Sequence, residues 1–494
     1  MISKEQKDYG QIAKSTGIFG GSQLVIILSG ILRTKVLALL LGATGVGLAG
    51  LLQSVVETIR SIAGLGLGFS AVKEVSEAYA SHDETQKQAV FPLLKRWSFM
   101  TALLGLSIPL VFARSISLYI FENTNYVFEI RLLSIAVAAG IVSAVQMAVL
   151  QGQRRIKAMA WVALINALGG LLIATLIYAW LGIKGIVPAI LLVALLSLAL
   201  TTLYVRIDFF RAVQQSWSET LRKGRNMVQL GIFTMLAALA STLGLFLIKR
   251  FLVRAGDLQT VGLFQAAWSV SFMYLGAVLT SMAADYYPKL CGLDKASRNE
   301  FANQQTRFVL IVVAPLLVGL LLFAAPVLRL LYSVDFVQAM DMLHWQLLGS
   351  LLKVLIWPVG FFLLAENKGF AFLMVECIWF AAFYVFTWLL WPVMGLTAVG
   401  LSYLLAYVVY FPLVFLWVRS YTQFSYSRTN LWLLLGYGLL VLLSFLNVRW
   451  VQGSLHVWLG GGLCLATLLL SAVQLNRILP FKYWIEALNK RLFK

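Results

Sequence analysis

Long apolar stretches, separated by short polar segments, run along almost the whole chain. A helix needs about 20 predominantly apolar residues to cross a bilayer. The stretches that meet this length have the approximate ranges 16–41, 45–71, 97–120, 127–150, 158–180, 183–205, 226–251, 258–286, 308–332, 342–365, 369–391, 394–418, 430–448 and 454–476. No polar segment between them is long enough to fold as a separate domain. The pattern therefore predicts an all-α polytopic membrane protein with about 14 transmembrane helices.

An internal repeat divides these helices into two sets. The first predicted helix contains GIF at 17–19, and VGL follows at 46–48. The seventh contains GIF at 231–233, and VGL follows at 261–263. A glutamine comes shortly after each VGL, Gln53 in the first copy and Gln265 in the second. Duplicated halves are common in transporters, so we expect two pseudo-symmetric six-helix lobes that have the same topology.

The repeat also predicts the domain organisation. The first lobe covers 1–205, a linker covers 206–225, the second lobe covers 226–420, two extra helices without a counterpart cover 421–476, and a tail covers 477–494. In the linker and in the tail, apolar residues lie on one helix face with basic residues around them. Each is predicted to be an amphipathic helix on the anionic cytoplasmic leaflet. A solvated loop is the alternative.

Composition and charge narrow the class of protein. Of the 494 residues, 61% are hydrophobic and 12% are charged, and the formal net charge is +19. Soluble proteins are about half apolar and a quarter charged, so an ordinary soluble enzyme and a disordered chain are excluded. With the N-terminus inside, 27 of the 39 Lys and Arg residues fall in cytoplasmic segments and eight in outer loops or outer helix ends. Both termini are therefore predicted to be cytoplasmic, and most of the basic excess needs no nucleic acid.

Sets of residues that carry catalysis or bind metals are missing from the sequence. There is no glycine-rich phosphate loop and no HExxH motif. The cysteines and histidines are scattered at Cys291, Cys377, Cys464, His82, His344 and His456. We therefore expect no catalytic residues, no metal site and no cofactor.

Charged residues inside or beside the predicted helices are the candidate functional residues, because a charge in hydrocarbon is costly. The basic ones, predicted to bind an anion such as a pyrophosphate in a cavity between the lobes, are Arg33, Lys35, Arg60, Lys249, Arg250 and Lys353. The acidic ones, candidates for coupling transport to protons or sodium, are Glu57, Asp285 and Glu376.

Several candidates have a structural alternative. Glu57 and Arg60 lie three residues apart on one helix face, so they are able to pair with each other. Lys249 and Arg250 lie near an outer helix end, where long basic side chains reach the headgroups. Glu376 is also able to form a hydrogen bond between helices.

Three stretches carry a family resemblance. They are GATGVGLAGLLQSVVETIRSIAGLGLGFSAVKEV at 42–75, FQAAWSVSFMYLGAVLTSMAADYYPKL at 264–290 and, most specifically, WQLLGSLLKVLIWPVGFFLLAENKGF at 345–370. AYVVYFPLVFLWVR at 406–419 adds to them. The chain resembles the multidrug/oligosaccharidyl-lipid/polysaccharide exporter superfamily. Within it, the chain is most similar to the bacterial polysaccharide flippases of the enterobacterial common antigen translocase type.

The resemblance implies a transporter of the bacterial inner membrane. Its substrate would be an undecaprenyl-pyrophosphate-linked oligosaccharide, such as an O-antigen or common antigen unit, moved from the inner to the outer leaflet by alternating access. Lys35, Lys249 and Lys353 match basic positions of the flippase pattern, and Arg60 resembles an arginine of peptidoglycan-precursor flippases. Membrane lipids and the polysaccharide polymerase machinery are further implied partners. The alternatives are a drug/cation antiporter of the same superfamily and a membrane polysaccharide polymerase or glycosyltransferase.

Overall fold

The computed structural model of the protein describes residues 4–80, 84–153, 155–205, 217–292, 295–366 and 368–478. Within these ranges the backbone forms α-helices joined by short turns, and it contains no β-strand. The helices are α1 (Lys4–Ala63), α2 (Leu67–Ala80), α3 (Glu84–Phe121), α4 (Val127–Gly152), α5 (Ile156–Leu181), α6 (Ile186–Val205), α7 (Trp217–Ala255), α8 (Leu258–Gly292), α9 (Lys295–Leu322), α10 (Ala324–Leu331), α11 (Met340–Ala365), α12 (Gly369–Met394), α13 (Leu396–Thr422), α14 (Arg428–Trp450) and α15 (Gly453–Ile478). The predicted all-α class is confirmed.

The apolar helices make this a multi-pass membrane protein. In the described part of the chain, ten segments are long and apolar enough to cross a membrane. One of these segments, Lys157–Val205, contains two of the predicted transmembrane helices, and another, Val25–Ala63, overlaps the first two predicted ranges. The seventh and eighth predicted helices fall in α7 and α8, which are 39 and 35 residues long. The count of 14 transmembrane helices stays a prediction.

The first two predicted membrane helices form one helix with a kink. The bend in α1 lies at Gly42, whose φ of 64° and ψ of −167° are not helical. A residue with a Cβ atom rarely adopts such a conformation, whereas glycine adopts it without steric cost. The short connection predicted between 41 and 45 is therefore a kink rather than a loop. The second half of α1 ends at Ala63, so the predicted range 45–71 extends past it, through a turn and into α2.

Helix boundaries repeat along the chain at a nearly constant interval. α4 and α11 are both 26 residues long and begin at Val127 and Met340. α5 and α12 also share a length of 26 residues. Gly182, which follows α5, has φ 56° and ψ −136°, and Gly395, which follows α12, has φ 52° and ψ −130°. The same turn therefore recurs 213 residues later (395 − 182), and this supports the duplication predicted from the short motifs.

The chain divides into two compact units. The first comprises Met1–Gly262 with Leu331–Ser333, and the second comprises Leu263–Leu330 with Val334–Lys494. α7 belongs to the first unit and packs against α1. The predicted lobes follow the repeat and place α7 in the second half, so their boundary differs from that of the compact units. The lobes stay a prediction.

The glycines of the two VGL motifs, Gly47 and Gly262, make close contacts inside the first unit. An ideal Cβ atom on Gly47 would lie 1.9 Å from the carbonyl oxygen of Leu258, and one on Gly262 would lie 1.9 Å from that of Ala43. α1 and the first turn of α8, which lies in the first unit, therefore approach each other backbone to backbone, and only glycine permits this at these two positions.

In the second unit, the two extra C-terminal helices pack on α9. The Asn430 side chain at the start of α14 donates to the backbone oxygen of Asn303 at 2.8 Å, and Arg307 donates to Gln474 of α15 at 3.2 Å. Most residues of the two predicted amphipathic segments lie outside the described residues. Residues 217–225 of the linker are the first residues of α7, whereas 206–216 and 479–494 lie outside the described residues.

Candidate functional site

A cavity of about 600 Å³ lies within the first unit between α1, α4, α5 and α6. Two of the predicted anion-binding residues, Arg33 and Arg60, line it. The other polar residues of the lining are Thr34, Gln53, Ser143, Asn166, Tyr178, Ser197 and Thr201. The structure thus places two guanidinium groups and several uncharged polar groups around one space.

Both halves of α1 present one face to this cavity. In the first half the lining residues are Gly30, Arg33, Thr34 and Leu37, and in the second they are Ala49, Gln53, Val56 and Arg60. Spacings of three and four residues place side chains on the same side of a helix. The bend at Gly42 separates the two faces, so each half contributes one arginine.

Arg60 extends across α4 at a glycine. A Cβ atom on Gly140 would lie 3.2 Å from Cδ of Arg60, so the arginine stem occupies the space that a larger residue would fill. The Arg60 side chain is exposed and also lines a neighbouring cavity of about 320 Å³, together with Glu57. Glu57 accepts a hydrogen bond from Gln53 at 3.1 Å. Glu57 and Arg60, both in the described part of α1, form no ion pair with each other.

Arg33 is held from the opposite side by α5. Its guanidinium group interacts electrostatically with the hydroxyl group of Tyr178. A Cβ atom on Gly170 would lie 3.9 Å from Nη1 of Arg33. Arg33 and Arg60 therefore each lie beside a glycine of a facing helix, which keeps room for a guanidinium group in an apolar wall.

The electrostatic character of the 600 Å³ cavity is basic. Among the described residues that line it, two are arginines and none is acidic. Oδ1 of Asn166 has no hydrogen-bond partner, although it is shielded from solvent. Arginine binds phosphate oxygens through parallel N–H donors. The arrangement is therefore suited to an anionic ligand that also carries hydroxyl or amide groups.

The described lining does not include Lys35. Lys35 is half-buried and lies two residues after Arg33, but it is not among the described residues that line the cavity. Asp285 lies in α8, and its side chain is outside the described residues.

Lys249 is buried between α7 and α1. It is 3% exposed, and its Nζ atom donates to the backbone oxygen of Gly50 at 3.0 Å and to Oγ of Ser54 at 2.7 Å. A buried ammonium group needs such partners because it has lost its hydration. In this structure Lys249 therefore links two helices, and a role in substrate binding would require it to exchange those partners.

Removing the hydroxyl partner tests this helix-linking role. We expect Ser54→Ala to lower the free energy of unfolding by about 2 kcal/mol, because the buried ammonium group loses a charge-assisted hydrogen bond. Denaturant titration in detergent measures this loss. Because the two side chains are in contact, the cost of Ser54→Ala should be smaller in the Lys249→Met background. Equal costs in both backgrounds would show that the contact does not stabilise the protein.

The end of α7 also contacts the end of α3. Nε of Arg250 donates to the backbone oxygen of Tyr119 at 2.8 Å, and its guanidinium group lies 3.4 Å from the centre of the Tyr119 ring. One turn later, Arg254 forms an ion pair with Glu122. Both basic residues thus have protein partners, and neither lines the 600 Å³ cavity.

A second charged group lies in the second unit. Nζ of Lys353 lies 4.6 Å from the centre of the Phe272 ring and interacts electrostatically with Glu376. The carboxylate of Glu376 accepts a hydrogen bond from the Tyr410 hydroxyl at 2.9 Å. α11, α12 and α13 therefore bring the predicted basic and acidic residues of this half together.

Sequence reasoning did not find the uncharged half of the cavity. Asn166, Ser143 and Tyr178 each lie in a strongly apolar helix, and Gly140 has no chemistry of its own. A polar residue inside a membrane helix is a recognisable signal. It shows that the residue faces protein or water, but it does not show which helix lies opposite.

Together, these observations define a polytopic membrane protein that has a cavity with a basic lining. Comparison with known families identifies it further: residues 12–291 match the family model described as polysaccharide biosynthesis protein. The chain belongs to this family. The resemblance based on the sequence motifs is therefore confirmed at the level of the family.

Individual relatives are more distant. The lipid III flippase of Escherichia coli (strain K12) is 25% identical over 412 aligned residues, and the match covers 81% of this chain and 97% of the relative. The lipid III flippase of Shigella flexneri has the same identity and coverage.

Among solved structures, the lipid II flippase MurJ in an inward closed conformation has a TM-score of 0.70. It is 13% identical, with 93% of this chain and 99% of MurJ covered. A MATE family multidrug resistance transporter of the MOP superfamily, in an inward-facing conformation, has a TM-score of 0.68 and is 17% identical, with 81% of this chain and 94% of that chain covered. At these identities the likeness shows the fold alone.

Proposed function

We propose that this protein is a flippase for a lipid-linked oligosaccharide. It takes an undecaprenyl-pyrophosphate-linked glycan from the inner leaflet of the cytoplasmic membrane to the outer leaflet by alternating access. The observation that carries the proposal is the cavity of about 600 Å³ that contains Arg33 and Arg60 and, among its described lining residues, no carboxylate.

Chemistry assigns different roles to the two kinds of lining residue. A pyrophosphate presents several anionic oxygens, which match the N–H donors of two guanidinium groups. The sugar next to it presents hydroxyl groups, which match the unpaired amide oxygen of Asn166 and the hydroxyl group of Ser197. The lipid chain needs no polar partner and stays in the bilayer. The arginines therefore select the charged group, and the uncharged residues contact the glycan.

The names of similar proteins support the flippase function. Two relatives that cover most of this chain are lipid III flippases, and a structural neighbour is a lipid II flippase. Family membership points to polysaccharide synthesis. Neither comparison defines the glycan, so we propose the substrate class from the cavity chemistry.

Other parts of the prediction remain part of the proposal. Lys35, Lys249, Arg250 and Lys353 are proposed to contact the anion in a cavity between the lobes at other stages of transport. Asp285, Glu376 and Glu57 are proposed coupling residues. Both termini are proposed to be cytoplasmic, and the polymerase machinery is a proposed partner.

The alternative functions require different chemistry. A drug/cation antiporter needs carboxylates or aromatic rings to attract a cation, whereas the two arginines repel one. A polymerase or glycosyltransferase needs a general base or a metal. Among the described residues, no group of three His, Cys, Asp or Glu side chains is arranged to hold a metal ion. The flippase is therefore the function that the cavity supports best.

Reconstitution tests the proposal. Purified protein is placed in liposomes that contain an undecaprenyl-pyrophosphate-linked oligosaccharide in both leaflets, and a membrane-impermeant glycosidase is added outside. We expect the protected inner pool to become accessible in proteoliposomes but not in protein-free liposomes. Efflux of a cationic dye without exposure of the glycan would instead support the antiporter, and a change in glycan chain length would support the polymerase.

A further inference from the structure

An apolar groove of about 390 Å³ lies between α1, α3 and α7 in the first unit. α1 contributes Val55 and Ile59, α3 contributes residues between Ile108 and Ile120, and α7 contributes Phe246. None of the described residues that line the groove is charged, and none of them also lines the 600 Å³ cavity. The wall therefore favours a hydrocarbon chain over a polar ligand.

The α3 side of the groove faces the bilayer. α3 lies in a segment, Val90–Phe121, that is long and apolar enough to cross a membrane. Phe112 of the lining is 55% exposed, and the adjacent Val111 is 72% exposed. Ser115 and Tyr119, which also line the groove, are exposed as well. A lipid chain therefore reaches the groove directly from the bilayer.

The groove is about as deep as one leaflet. Its lining on α3 begins at Ile108 and extends to Ile120, one residue before the helix ends at Phe121. At 1.5 Å per residue, the 12 steps between them (120 − 108) amount to about 18 Å. The hydrocarbon core of a bilayer is about 30 Å thick, so one leaflet accounts for about 15 Å. The groove therefore extends from the predicted outer end of α3 to about the middle of the membrane.

Arg250 lies at the outer end of this groove. It follows the lining residue Phe246 by four positions, so both side chains lie on the same side of α7. The Arg250 guanidinium group lies 3.4 Å from the centre of the Tyr119 ring, and its Nε atom donates to the backbone oxygen of Tyr119. Among the described residues, no carboxylate pairs with Arg250, because the nearby Glu122 pairs with Arg254. The Nη groups of Arg250 are therefore suited to an anion at headgroup level.

We propose that the groove binds one anionic glycerophospholipid of the outer leaflet, with phosphatidylglycerol as the representative. One acyl chain lies between α1, α3 and α7, and the phosphodiester group accepts hydrogen bonds from the Nη groups of Arg250. Arginine binds phosphate oxygens through paired N–H donors. The bound lipid joins the end of α7 to α3 in the conformation described here. This inference does not rest on the proposed transport function.

The charges at the end of the groove match a single negative charge. Arg250 contributes one positive charge without a carboxylate partner, whereas the charge of Arg254 is balanced by Glu122. A phosphodiester group carries one negative charge and a pyrophosphate carries more. The ammonium group of phosphatidylethanolamine would add a positive charge beside Arg250, which is unfavourable. The local charge therefore favours phosphatidylglycerol over both.

Lipid titration of the purified full chain tests the site. The protein is delipidated in detergent and titrated with phosphatidylglycerol, and native mass spectrometry counts the bound lipids. We expect one phosphatidylglycerol to bind more tightly than all later ones and more tightly than phosphatidylethanolamine. Arg250→Ala should weaken this binding about tenfold, because a hydrogen bond to a charged group is lost.

A second variant and two matched controls locate the lipid. Ser115→Trp fills the groove from an exposed position and should weaken binding by a similar factor. Val111→Trp places the same side chain on α3 outside the groove, and Arg254→Ala removes an arginine one turn beyond Arg250. Both controls should bind phosphatidylglycerol like the wild type. Because Ser115 is exposed, Ser115→Trp is expected to fold, so the test does not depend on Arg250→Ala.

Three results would overturn the site. One is equal affinity for phosphatidylglycerol in the wild type, Arg250→Ala and Ser115→Trp. Another is an equal loss in Arg250→Ala and Arg254→Ala, which would indicate attraction to surface charge in general. The third is retention of undecaprenyl phosphate but not of phosphatidylglycerol, because an isoprenoid chain would then be the occupant of the groove.

Discussion

Arg60→Ala is expected to reduce glycan translocation about 100-fold while the protein stays folded in the membrane. Arg60 extends into the 600 Å³ cavity and has no acidic partner of its own there. A hydrogen bond to a charged group contributes about 1.5–3 kcal/mol, and about 1.4 kcal/mol corresponds to a tenfold change in rate. Loss of one bidentate contact to a pyrophosphate therefore accounts for the expected factor. Initial rates in the reconstituted assay measure it.

Controls separate binding of the anion from general charge effects. Arg60→Lys keeps the charge but loses the planar donor pair, so it should retain an intermediate rate. Arg33→Ala should impair translocation in the same direction, because Arg33 lines the same cavity. Arg131→Ala removes an exposed arginine of α4 that does not line the cavity and should transport like the wild type. Normal rates in both Arg60→Ala and Arg33→Ala, at normal expression, would refute the cavity as the anion site.

Gly47→Ala is expected to lower the free energy of unfolding by about 1–3 kcal/mol, the usual cost of overfilling a packed site. The added methyl group would lie 1.9 Å from the carbonyl oxygen of Leu258, far inside van der Waals contact, so α1 and α8 would have to separate. Gly262→Ala meets the same obstacle at Ala43 and should behave alike. Titration with sodium dodecyl sulfate, followed by helix content, measures the stability.

The sign of the effect makes this prediction informative. Alanine is a better helix former than glycine by about 0.8–1 kcal/mol, so a helical glycine in open space should gain stability on substitution. Gly319 of α9 is such a position, because a Cβ atom there meets nothing within 4 Å. Gly319→Ala is therefore the matched control and should be neutral or stabilising. If Gly47→Ala is equally harmless, the close approach of the two VGL motifs does not limit packing.

Much of the architecture was predictable because the bilayer restricts it. Spanning segments have to be long, apolar and helical, and α4, α5 and α11 begin and end within a few residues of the predicted ranges. The turn at Gly42 was harder to interpret. A glycine between two apolar stretches indicates a break, but whether the break is a loop or a kink depends on how the two halves pack.

Part of the candidate site was predictable for the same physical reason. A cation in a membrane helix is costly, so the sequence alone indicates that Arg33, Arg60 and Lys249 each need a polar or charged partner. The surroundings of the three residues differ in the structure. Arg33 and Arg60 line a cavity, whereas the Lys249 ammonium group donates hydrogen bonds to Gly50 and Ser54. The cost of a buried charge shows that a partner exists, but it does not distinguish a protein partner from a substrate.

The sequence by itself determined the all-α class, the long apolar segments and the charged residues within them, because each depends on composition and on spacing within one helix. The duplication stays a prediction. Only the tertiary structure decided which faces meet. It placed Asn166 opposite the arginines of α1, and it brought Arg250 to Tyr119 although they are 131 residues apart (250 − 119). Helix periodicity determines the direction of a side chain within its own helix. The packing of neighbouring helices determines what that side chain contacts.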